Sequence, residues 1–297
     1  MYLIDISIII VNYNTKKLIS NCIKSIYDQV KDVLYEIIVV DNASTDDSIK
    51  TIKKTFPDIL VIDSNENIGF GRANNLGTKY AKGEFLFFLN PDTILLNNAP
   101  LHFLQFYKHY DSMLSIGALG SVLLDKKCKI NASYSLKYST FYEDIFNSIY
   151  SSIFKNTKRK EKHLLKNDYL KVAWVSGANL FIKKDIFLKA DGFDENYFLY
   201  YEEVDLQRRL KFNKYESFVI SEPKIIHLEG KSFDRSISIE KKKIIDRSKF
   251  YYYRKYTSPF IYIINKFLYK LLSFIKVYFN YGLKKALEYI SYLNTLI

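Results

Sequence analysis

The sequence predicts an α/β fold in which a mostly parallel central sheet is flanked by helices and followed by a C-terminal helical extension. Short apolar runs rich in β-branched residues alternate with stretches of helical pattern, which is typical of repeated β-α-β units. The runs that end at Val11 and Val40 are apolar at nearly every position, as expected of central parallel strands that are buried on both faces. With 297 residues, 48% of them hydrophobic, the chain can bury a substantial core.

The first four predicted strands all end in polar residues. These strands cover residues 6–11, 36–40, 59–62 and 85–89. In an open α/β sheet, ligands bind in the crevice beyond the carboxyl ends of the strands. We therefore expect one site to be surrounded by the polar residues that follow the strands, which are Asn12, Tyr13, Asn14, Asp41, Asn42, Asp63, Ser64, Asn65, Asn90 and Asp92.

The rest of the chain has a less regular pattern. Residues 133–171 predict a helical or loop insertion, because they lack a strong strand signal. Strand signals return over residues 172–182, a helix is predicted at about 202–212, and a short strand near 218–220. Because the composition changes at Ser236, we expect an α/β domain over residues 1–235 and a basic, aromatic helical tail over residues 236–297.

The charge balance predicts an anionic partner. The chain carries 44 Lys and Arg residues against 32 Asp and Glu residues, a formal net charge of +12. Nucleic acid, a phosphorylated small molecule and an acidic membrane face are the candidates. We disfavour nucleic acid, because the excess is concentrated after Ser236 and explains none of the acidic residues at the strand ends.

The cysteine content and the N-terminus favour a cytoplasmic protein. Cys22 and Cys128 are the only cysteines, so the sequence offers neither a disulfide framework nor a Cys-rich metal site. The N-terminal segment has no basic start and meets Asp5 and Asn12 within a short apolar run. It therefore predicts a buried strand rather than a signal peptide.

The tail from Lys249 onward combines eight Lys or Arg residues and one acid, Glu288, with fifteen Tyr or Phe residues. Its longest uncharged stretch is about half of the roughly 20 residues that a membrane-spanning helix needs, so it should not cross a bilayer. A helix is predicted to begin near Pro259 and to carry one apolar stripe, formed by Phe260, Ile264, Phe267, Leu271, Phe274 and Tyr278. Such a helix can lie in a membrane interface. The alternative is a terminal helix pair that packs this stripe on the α/β domain.

Asp41 follows the second predicted strand. Ser44 and Asp47 have the spacing of a capping box, which predicts that a helix starts there. Capping does not account for Asp41 itself. A carboxylate at a strand end can accept hydrogen bonds from a base imide or a ribose hydroxyl.

Residues 67–77 predict a glycine-rich turn that enters a helix. Asn74 stands where a G-x-G-x-x-G motif needs its third glycine, so a dinucleotide site is disfavoured. The backbone amides near Gly69, with Arg72 beside them, nevertheless suit an anionic ligand.

Asn90-Pro91-Asp92 follows a strongly apolar predicted strand. An oxygen ligand at Asp92 can hold Mg²⁺ or Mn²⁺ against a diphosphate. The alternative is a turn in which Asp92 caps the next helix.

Glu202, Glu203 and Asp205 place three carboxylates at the start of a predicted helix, where the helix dipole stabilises negative charge. Carboxylates this close raise the pKa of at least one of them, which suits a general base. Because neighbouring residues point about 100 degrees apart on a helix, only one of Glu202 and Glu203 can face a given substrate.

His227 is followed closely by Lys231 and Ser232. A single histidine is usually structural. With an ammonium and a hydroxyl nearby, His227 also predicts a diphosphate clamp or a metal ligand.

Taken together, these segments resemble the family 2 inverting glycosyltransferases with the GT-A fold, a Rossmann-like architecture, and especially bacterial rhamnosyltransferases that act on cell-surface polysaccharides. The resemblance covers about residues 6 to 233. The segments that carry it, in order, are SIIIVNYN, VVDNASTDDS, NIGFGRANNLG, FLNPDT, VSGANLFIKKDIF, GFDENYFLYYEEVDLQRRL and HLEGKS.

The resemblance implies an enzyme that moves a sugar from a nucleotide-diphosphate donor, a dTDP- or UDP-sugar, to a glycan or lipid-linked glycan acceptor in O-antigen or capsule assembly. It implies that Glu203 is the general base, with Glu202 beside it, and that Asp92 and His227 hold Mg²⁺ or Mn²⁺. The donor would be bound by Tyr13, Asn14, Asp41, Asn42, Gly69, Arg72, Asn90, His227 and Lys231.

Two departures from the family pattern bear on this prediction. Asn-Pro-Asp in place of Asp-x-Asp leaves one acidic metal ligand, and Glu203 stands where many relatives have Asp. The alternative function is a catalytically inactive nucleotide-sugar-binding partner subunit, which is disfavoured because the base, metal and clamp positions are all filled. We expect the chain to lie peripherally on the inner face of the cell membrane, where a lipid-linked acceptor would be presented.

Overall fold

In the computed structural model, which describes residues 4–131, 133–144, 168–228 and 239–296, the N-terminal part alternates strands and helices as predicted. All four of the first predicted strands are confirmed. The elements of this part are β1 (Ile4–Asn12), α1 (Lys16–Gln29), β2 (Tyr35–Asp41), α2 (Ser48–Thr55), β3 (Leu60–Asp63), α3 (Phe70–Tyr80) and β4 (Gly83–Leu89).

The middle of the chain completes the α/β part. Its elements are β5 (Thr93–Leu95), α4 (Ala99–Leu114), β6 (Ile116–Leu124), β7 (Ile130–Asn131), β8 (Tyr134–Ser135), β9 (Tyr169–Val172), β10 (Trp174–Val175), β11 (Asn179–Lys183), α5 (Lys184–Lys189), α6 (Glu202–Phe212) and β12 (Glu216–His227). The helix predicted over residues 202–212 is confirmed. Most of the insertion predicted over residues 133–171 lies outside the described residues.

The main sheet has the strand order β3-β2-β1-β4-β11-β6-β12-β5. β1 runs parallel to β2 and β4, and β2 runs parallel to β3, whereas β11 is antiparallel to both β4 and β6. The carboxyl ends of β1 to β4 therefore point to one edge of the sheet, and β11 begins at that same edge. The predicted α/β class with a mostly parallel sheet is confirmed.

Helices cover the main sheet, and the strand residues beneath them are apolar and buried. Residues 8–10 of β1 are fully buried, as are Phe87 and Phe88 of β4. Phe181 of β11 stacks on Phe85 and on Phe103 of α4, with ring centroids 5.1 and 5.3 Å apart. This packing joins β4 and β11 to α4.

The described residues fall into two compact units. One contains β1 to β12 with α1 to α6, and the other contains residues 139–144 and 199–201 together with the C-terminal helices. These helices are α7 (Ile239–Tyr256), α8 (Pro259–Tyr281) and α9 (Leu283–Thr295). The helix start predicted near Pro259 is confirmed.

The C-terminal helices are held together by a buried polar cluster. The carboxylate of Asp246, 1% exposed, accepts hydrogen bonds from the hydroxyls of Tyr269 and Tyr289 and from Lys242 Nζ at 3.1 Å. The predicted stripe on α8 is largely exposed, with Phe260 and Phe267 among its most exposed members. Within the described part of the chain, none of the helices has the length and apolar character needed to span a bilayer.

Candidate active site

The carboxyl end of β2 carries a hydrogen-bond network centred on Asp41. Its buried carboxylate accepts from Asn12 Nδ2 at 2.7 Å through Oδ1, and from the Ser44 amide at 2.9 Å through Oδ2. Asn12 and Asp41 meet because they are register partners at the ends of two parallel strands. Both carboxylate oxygens are thus engaged inside the protein, so a bond from Asp41 to a nucleobase would use the remaining lone pairs.

Tyr13 and Asn14 lie at the rim of this network. Asn14 adopts a left-handed conformation, with φ of 54°, and its Oδ1 accepts from the Thr45 amide at 2.8 Å. Tyr13 is 49% exposed. The ring of Tyr13 is therefore open to a planar ligand such as a nucleobase.

The predicted capping box at Ser44 and Asp47 is wrong. α2 begins at Ser48, with Asp47 in the N-cap position and no side-chain cap. The Ser44 hydroxyl oxygen instead accepts from the Asn14 amide and from Asn12 Nδ2, both at 2.9 Å. These tertiary bonds replace the local cap, which shows that Ser44 holds the β1 and β2 loops together.

The Asn42 side chain forms hydrogen bonds that stabilise the loop preceding α3. Its Oδ1 accepts from the Ile68 amide at 3.0 Å, and its Nδ2 donates to Asn67 Oδ1 at 2.9 Å. The side chain is 3% exposed. In this structure Asn42 orders the loop, and its predicted part in donor binding stays a prediction.

Gly69 is required by a close approach to Phe198. Its φ is +88°, and a Cβ at this position would lie 2.3 Å from the Phe198 carbonyl oxygen. The Phe70 amide donates to the same oxygen at 2.9 Å. One of the amides predicted to receive an anion at this helix start is therefore already used, and the glycine is explained by backbone packing.

Arg72 is anchored beside the start of α3. Its Nε donates to the Glu195 carbonyl oxygen at 2.7 Å, and the side chain is 49% exposed. A half-exposed guanidinium held by one nitrogen keeps donors available for an anion.

Asp92, which follows β4, lies beside His227, the last residue of β12. Asp92 Oδ1 lies 3.1 Å from His227 Nε2, and the Leu228 amide donates to the Asp92 carbonyl oxygen at 2.8 Å. Pairing of His227 with Thr93 brings them together. Asp92 precedes a strand and α4 is capped by Asn98, so the alternative in which Asp92 caps a helix is wrong.

Asn90 completes this corner. Its amide donates to the Ala178 carbonyl oxygen at 3.1 Å, and its Nδ2 lies 3.4 Å from His227 Nε2. Its Oδ1 is buried and has no hydrogen-bond partner within the part of the chain that the structure describes. A buried acceptor without a partner is costly unless a ligand satisfies it.

The Asp92 and His227 pair fits a small divalent cation. Carboxylate oxygen and imidazole nitrogen are common ligands of Mn²⁺-type ions, and neighbouring ligands on an octahedral ion are about 3 Å apart. Among the described residues, no group of three or more His, Cys, Asp or Glu side chains could hold a metal. An ion held by this pair would therefore take further ligands from a diphosphate and from water, which is the usual mode for Mg²⁺.

Glu202, which is buried, and Glu203, which is half-buried, open α6. The Oε2 atom of each is buried and has no hydrogen-bond partner among the described residues. Burial raises the pKa of Glu203 above its usual range, although the Gly177 amide bonded to it opposes the shift. Burial, and then the neighbouring Glu203, raises the pKa of Glu202 further. The predicted upward shift is confirmed, but desolvation is its larger cause.

The two carboxyl groups face different neighbours. The Glu202 side chain packs against the backbone of Gly71 on α3, and Glu203 packs against the Gly177 turn before β11. Since Ala178 in that turn accepts from Asn90, Glu203 lies on the part of the sheet edge that also carries Asp92. This separation agrees with the expectation that only one of the pair faces a substrate.

Comparison with known proteins decides the family. The sequence matches the Glycosyl transferase family 2 domain over residues 7–188, more than half of the chain. The chain belongs to glycosyl transferase family 2. The predicted resemblance is confirmed.

Three curated relatives of this family 2 chain are glycosyltransferases by name. The poly(ribitol-phosphate) beta-glucosyltransferase of Bacillus spizizenii is 36% identical over 122 residues, which is 39% of this chain and 19% of that protein. Rhamnosyltransferase WbbL of Escherichia coli is 28% identical over 212 residues, 68% of this chain and 75% of that protein. The N-acetylglucosaminyl-diphospho-decaprenol L-rhamnosyltransferase of Mycobacterium tuberculosis is 23% identical over 67% of this chain and 68% of that protein.

Solved structures share the GT-A fold with this family 2 chain. The mannosyltransferase PcManGT from Pyrobaculum calidifontis, in complex with GDP-Man and Mn²⁺, has a TM-score of 0.56 at 16% identity and covers 99% of this chain and 74% of that one. Staphylococcus aureus TarS 1-349, in complex with UDP-GlcNAc, has a TM-score of 0.52 at 17% identity over 82% of this chain and 66% of that one. These likenesses confirm the predicted fold.

Sequence reasoning missed the side chains that hold α6 in place. The Gln207 amide bridges to Val175, donating to its carbonyl oxygen and accepting from its amide, both at 2.8 Å. Arg209 Nε donates to the buried Asp205 carboxylate at 2.7 Å, and its Nη2 donates to the Gly192 carbonyl oxygen at 2.7 Å. Asp205 is therefore structural. In the sequence, the four-residue spacing of Asp205 and Arg209 is the one sign of their ion pair.

The backbone immediately before α6 is strained. Tyr200 and Tyr201 both have a φ of 71°, in the left-handed region that non-glycine residues rarely adopt. The Tyr201 hydroxyl donates to Asp144 Oδ2 at 3.1 Å, and the Ser248 hydroxyl donates to the Leu199 carbonyl oxygen at 2.7 Å. Such conformations persist where surrounding contacts determine them, and they cluster near functional residues.

The structure brings most predicted site residues to one sheet edge. Asp41 ends β2 and Asp92 follows β4, with β1 between them, so their strands lie about 10 Å apart. Lys231 lies outside the described residues. A cavity of about 530 Å³ elsewhere, lined by Lys171, Lys211 and Glu216 among others, includes none of these residues.

Proposed function

We propose that this family 2 chain transfers a sugar from a dTDP- or UDP-sugar to an acceptor hydroxyl, with inversion at the anomeric carbon, in the assembly of a cell-surface polysaccharide such as O-antigen or capsule. The observation that carries the proposal is the position of Glu203. Its side chain packs against the Gly177 turn, where the neighbouring Ala178 carbonyl accepts from the Asn90 amide, two residues before Asp92. A base and a leaving-group site on one edge are what a single displacement needs.

The proposed step is an in-line displacement. Glu203 takes the proton of the acceptor hydroxyl while that oxygen bonds to the anomeric carbon. The bond from the anomeric carbon to the diphosphate oxygen breaks, and the nucleoside diphosphate leaves with the electron pair from the opposite face. Inversion of the anomeric centre follows from this geometry. The raised pKa of Glu203 makes it a stronger base than an ordinary carboxylate.

The donor would lie across the carboxyl ends of β2, β1 and β4. The open ring of Tyr13 and the Asp41 network would receive the base. The unpartnered Asn90 Oδ1 would accept from a ribose hydroxyl. Asp92 and His227 would hold a Mg²⁺ or Mn²⁺ ion, which neutralises the charge that develops on the leaving diphosphate. Lys231 would add a positive charge to the same group.

The acceptor is proposed from the relatives. Two of them act on a poly(ribitol phosphate) and on a decaprenyl diphosphate-linked sugar by name. A glycan or lipid-linked glycan hydroxyl is therefore the proposed acceptor, and the inner face of the cell membrane is the proposed location. Because this chain spans only 19% of the Bacillus spizizenii glucosyltransferase, the resemblance to that protein supports the transfer chemistry and not a particular polymer.

Donor screening followed by substitution of Glu203 tests this function. We expect one of a panel of UDP-, dTDP- and GDP-sugars to raise the melting temperature in the presence of Mn²⁺. With that donor, Glu203→Gln should lower turnover by at least about 100-fold while leaving the donor Kd within about threefold. Glu222→Gln, at an exposed glutamate away from the site, is the matched control. Unchanged turnover in Glu203→Gln would reject Glu203 as the base, and a product with retained configuration would reject the single displacement.

A further inference from the structure

Helix α8 turns its apolar side away from the C-terminal helices that it packs against. Phe260, Ile263 and Phe267 are 74%, 65% and 68% exposed. The side of α8 that packs inward is the more polar one, formed by Tyr262, Asn265, Tyr269, Ser273 and Val277. In a helix that packs only on its own protein, the apolar stripe faces the core. In α8 the apolar stripe is exposed and the more polar side packs inward.

This orientation is fixed by the polar cluster around Asp246. The Tyr269 hydroxyl donates to the Asp246 carboxylate, and Lys242 Nζ donates to Tyr269 at 2.9 Å. Lys270 Nζ donates to Asn294 Oδ1 of α9 at 2.7 Å. Rotation of α8 about its axis, which would bury the phenylalanines, would break these bonds and remove the Tyr269 hydroxyl from the buried Asp246 carboxylate. The apolar side is therefore held outward.

The outward face is broad and continuous. At about 100° per residue, its members fall within about 60° of one line along the helix, which is about 35 Å long. We call this surface the α8 outer face. It consists of Phe260, Ile263, Ile264, Phe267, Leu271, Ile275 and Tyr278.

The three C-terminal helices are strongly basic. The acidic residues of α7 to α9 are Glu240, Glu288 and the buried Asp246. The exposed basic side chains of these helices are Arg247, Arg254, Lys255, Lys276, Lys284 and Lys285, of which Lys276 lies on the side of α8 opposite the outer face. An apolar and aromatic face on such a basic group of helices is complementary to an anionic bilayer, whose headgroups attract the basic side chains while the acyl boundary receives the apolar ones.

A second copy of the chain is a poorer occupant. A two-fold interface through the α8 outer face would bring the basic C-terminal helices of both copies together. The described helices offer few exposed acids to offset that repulsion.

We propose that the α8 outer face is a membrane-docking surface that lies in the headgroup region of an anionic bilayer, with α8 parallel to the membrane plane. This inference assigns residues to the membrane location proposed above. It does not depend on the transfer chemistry.

Sedimentation of the full chain with lipid vesicles tests the proposal. The chain should bind vesicles of phosphatidylglycerol and phosphatidylcholine, and bind phosphatidylcholine alone at least about tenfold more weakly. Phe267→Ser should weaken binding to the mixed vesicles by about tenfold or more. Phe212→Ser is the matched control, because Phe212 is 67% exposed but lies on α6; it should bind like the unmodified chain.

A fluorescence measurement keeps the test independent of folding defects. In Phe267→Trp the added indole emission should shift to shorter wavelength when the mixed vesicles are added, and in Phe212→Trp it should not. Equal vesicle binding by Phe267→Ser and the control would overturn the proposal. So would a concentration-dependent dimer that Phe267→Ser abolishes, because a second copy would then occupy the face.

Transfer to a water-soluble acceptor separates this proposal from the proposed function. Phe267→Ser should leave that activity unchanged while it loses vesicle binding. If the chain binds vesicles through α8 but transfers no sugar, the proposed function fails and the docking surface stands.

Discussion

Asp92 Oδ1 and His227 Nε2 lie 3.1 Å apart, although one residue follows β4 and the other ends β12. The pairing of β12 with β5 creates this contact, because His227 is the register partner of Thr93. Asn90 adds an oxygen beside it that has no hydrogen-bond partner among the described residues. We propose this corner as the place of a cation and a diphosphate.

Removal of either member of this pair should weaken metal binding. We expect Asp92→Asn and His227→Ala each to raise the Kd for Mn²⁺, measured by electron paramagnetic resonance in the presence of UDP, by at least about tenfold. Asp58→Asn, which changes an exposed aspartate after α2, should have no effect. Equal Mn²⁺ affinity in all three variants would place the metal elsewhere.

Transfer should depend on pH through Glu203. The base acts as the carboxylate, and burial raises the pKa of Glu203. Activity should therefore be lost as pH falls through a value above that of an ordinary glutamate, and be complete well above it. The profile of kcat/KM against pH measures this limb. An acidic limb at or below the usual glutamate range would contradict the assignment.

The raised pKa of Glu202, the neighbour of Glu203, should make the stability of the folded chain depend on pH. The pKa of Glu202 is raised in the folded chain by burial and by Glu203. Its contribution to stability is therefore fully present below the unfolded pKa and is lost as pH rises through the folded pKa. Glu202→Gln removes the charge, so it should raise the melting temperature at pH 8 relative to the unmodified chain, by about 2–4 °C for each kcal/mol, and change it less at pH 4. Calorimetry at both pH values checks this, and a lower melting temperature at pH 8 would contradict it.

Two glycines with similar backbone angles should respond differently to alanine. Gly69 and Gly282 have φ of +88° and +84° with ψ of 172° at both, a region that only glycine adopts readily, so alanine costs about 1–3 kcal/mol at either position through the backbone alone. A Cβ at Gly69 also lies 2.3 Å from the Phe198 oxygen, whereas nothing lies within 4 Å of one at Gly282. Gly69→Ala should therefore cost about 1–3 kcal/mol more than Gly282→Ala in denaturant unfolding. Equal costs would mean that the Phe198 contact is not maintained in solution.

Features with a local pattern were predictable from the sequence. The strands that end near Val11, Val40 and Leu89 are apolar throughout, and the helix from Glu202 begins with acidic residues, so each element follows from neighbouring residues. The convergence of polar residues on one edge followed from the parallel strand order.

Features that depend on distant contacts were not predictable. Ser44 does not cap a helix, because its hydroxyl oxygen accepts hydrogen bonds from Asn12 Nδ2 and from the Asn14 amide instead. The role of Gly69 depends on Phe198, which lies far along the chain. The outward rotation of α8 depends on the pairing of Tyr269 with Asp246, which a helical pattern alone does not reveal.

A crystal structure with Mn²⁺ and the donor sugar nucleotide, located by the anomalous scattering of manganese, tests the central claim most directly. The account predicts manganese on Asp92 and His227, the diphosphate beside it, and the anomeric carbon facing Glu203. Manganese and diphosphate bound elsewhere, for example in the cavity lined by Lys171 and Lys211, would contradict it.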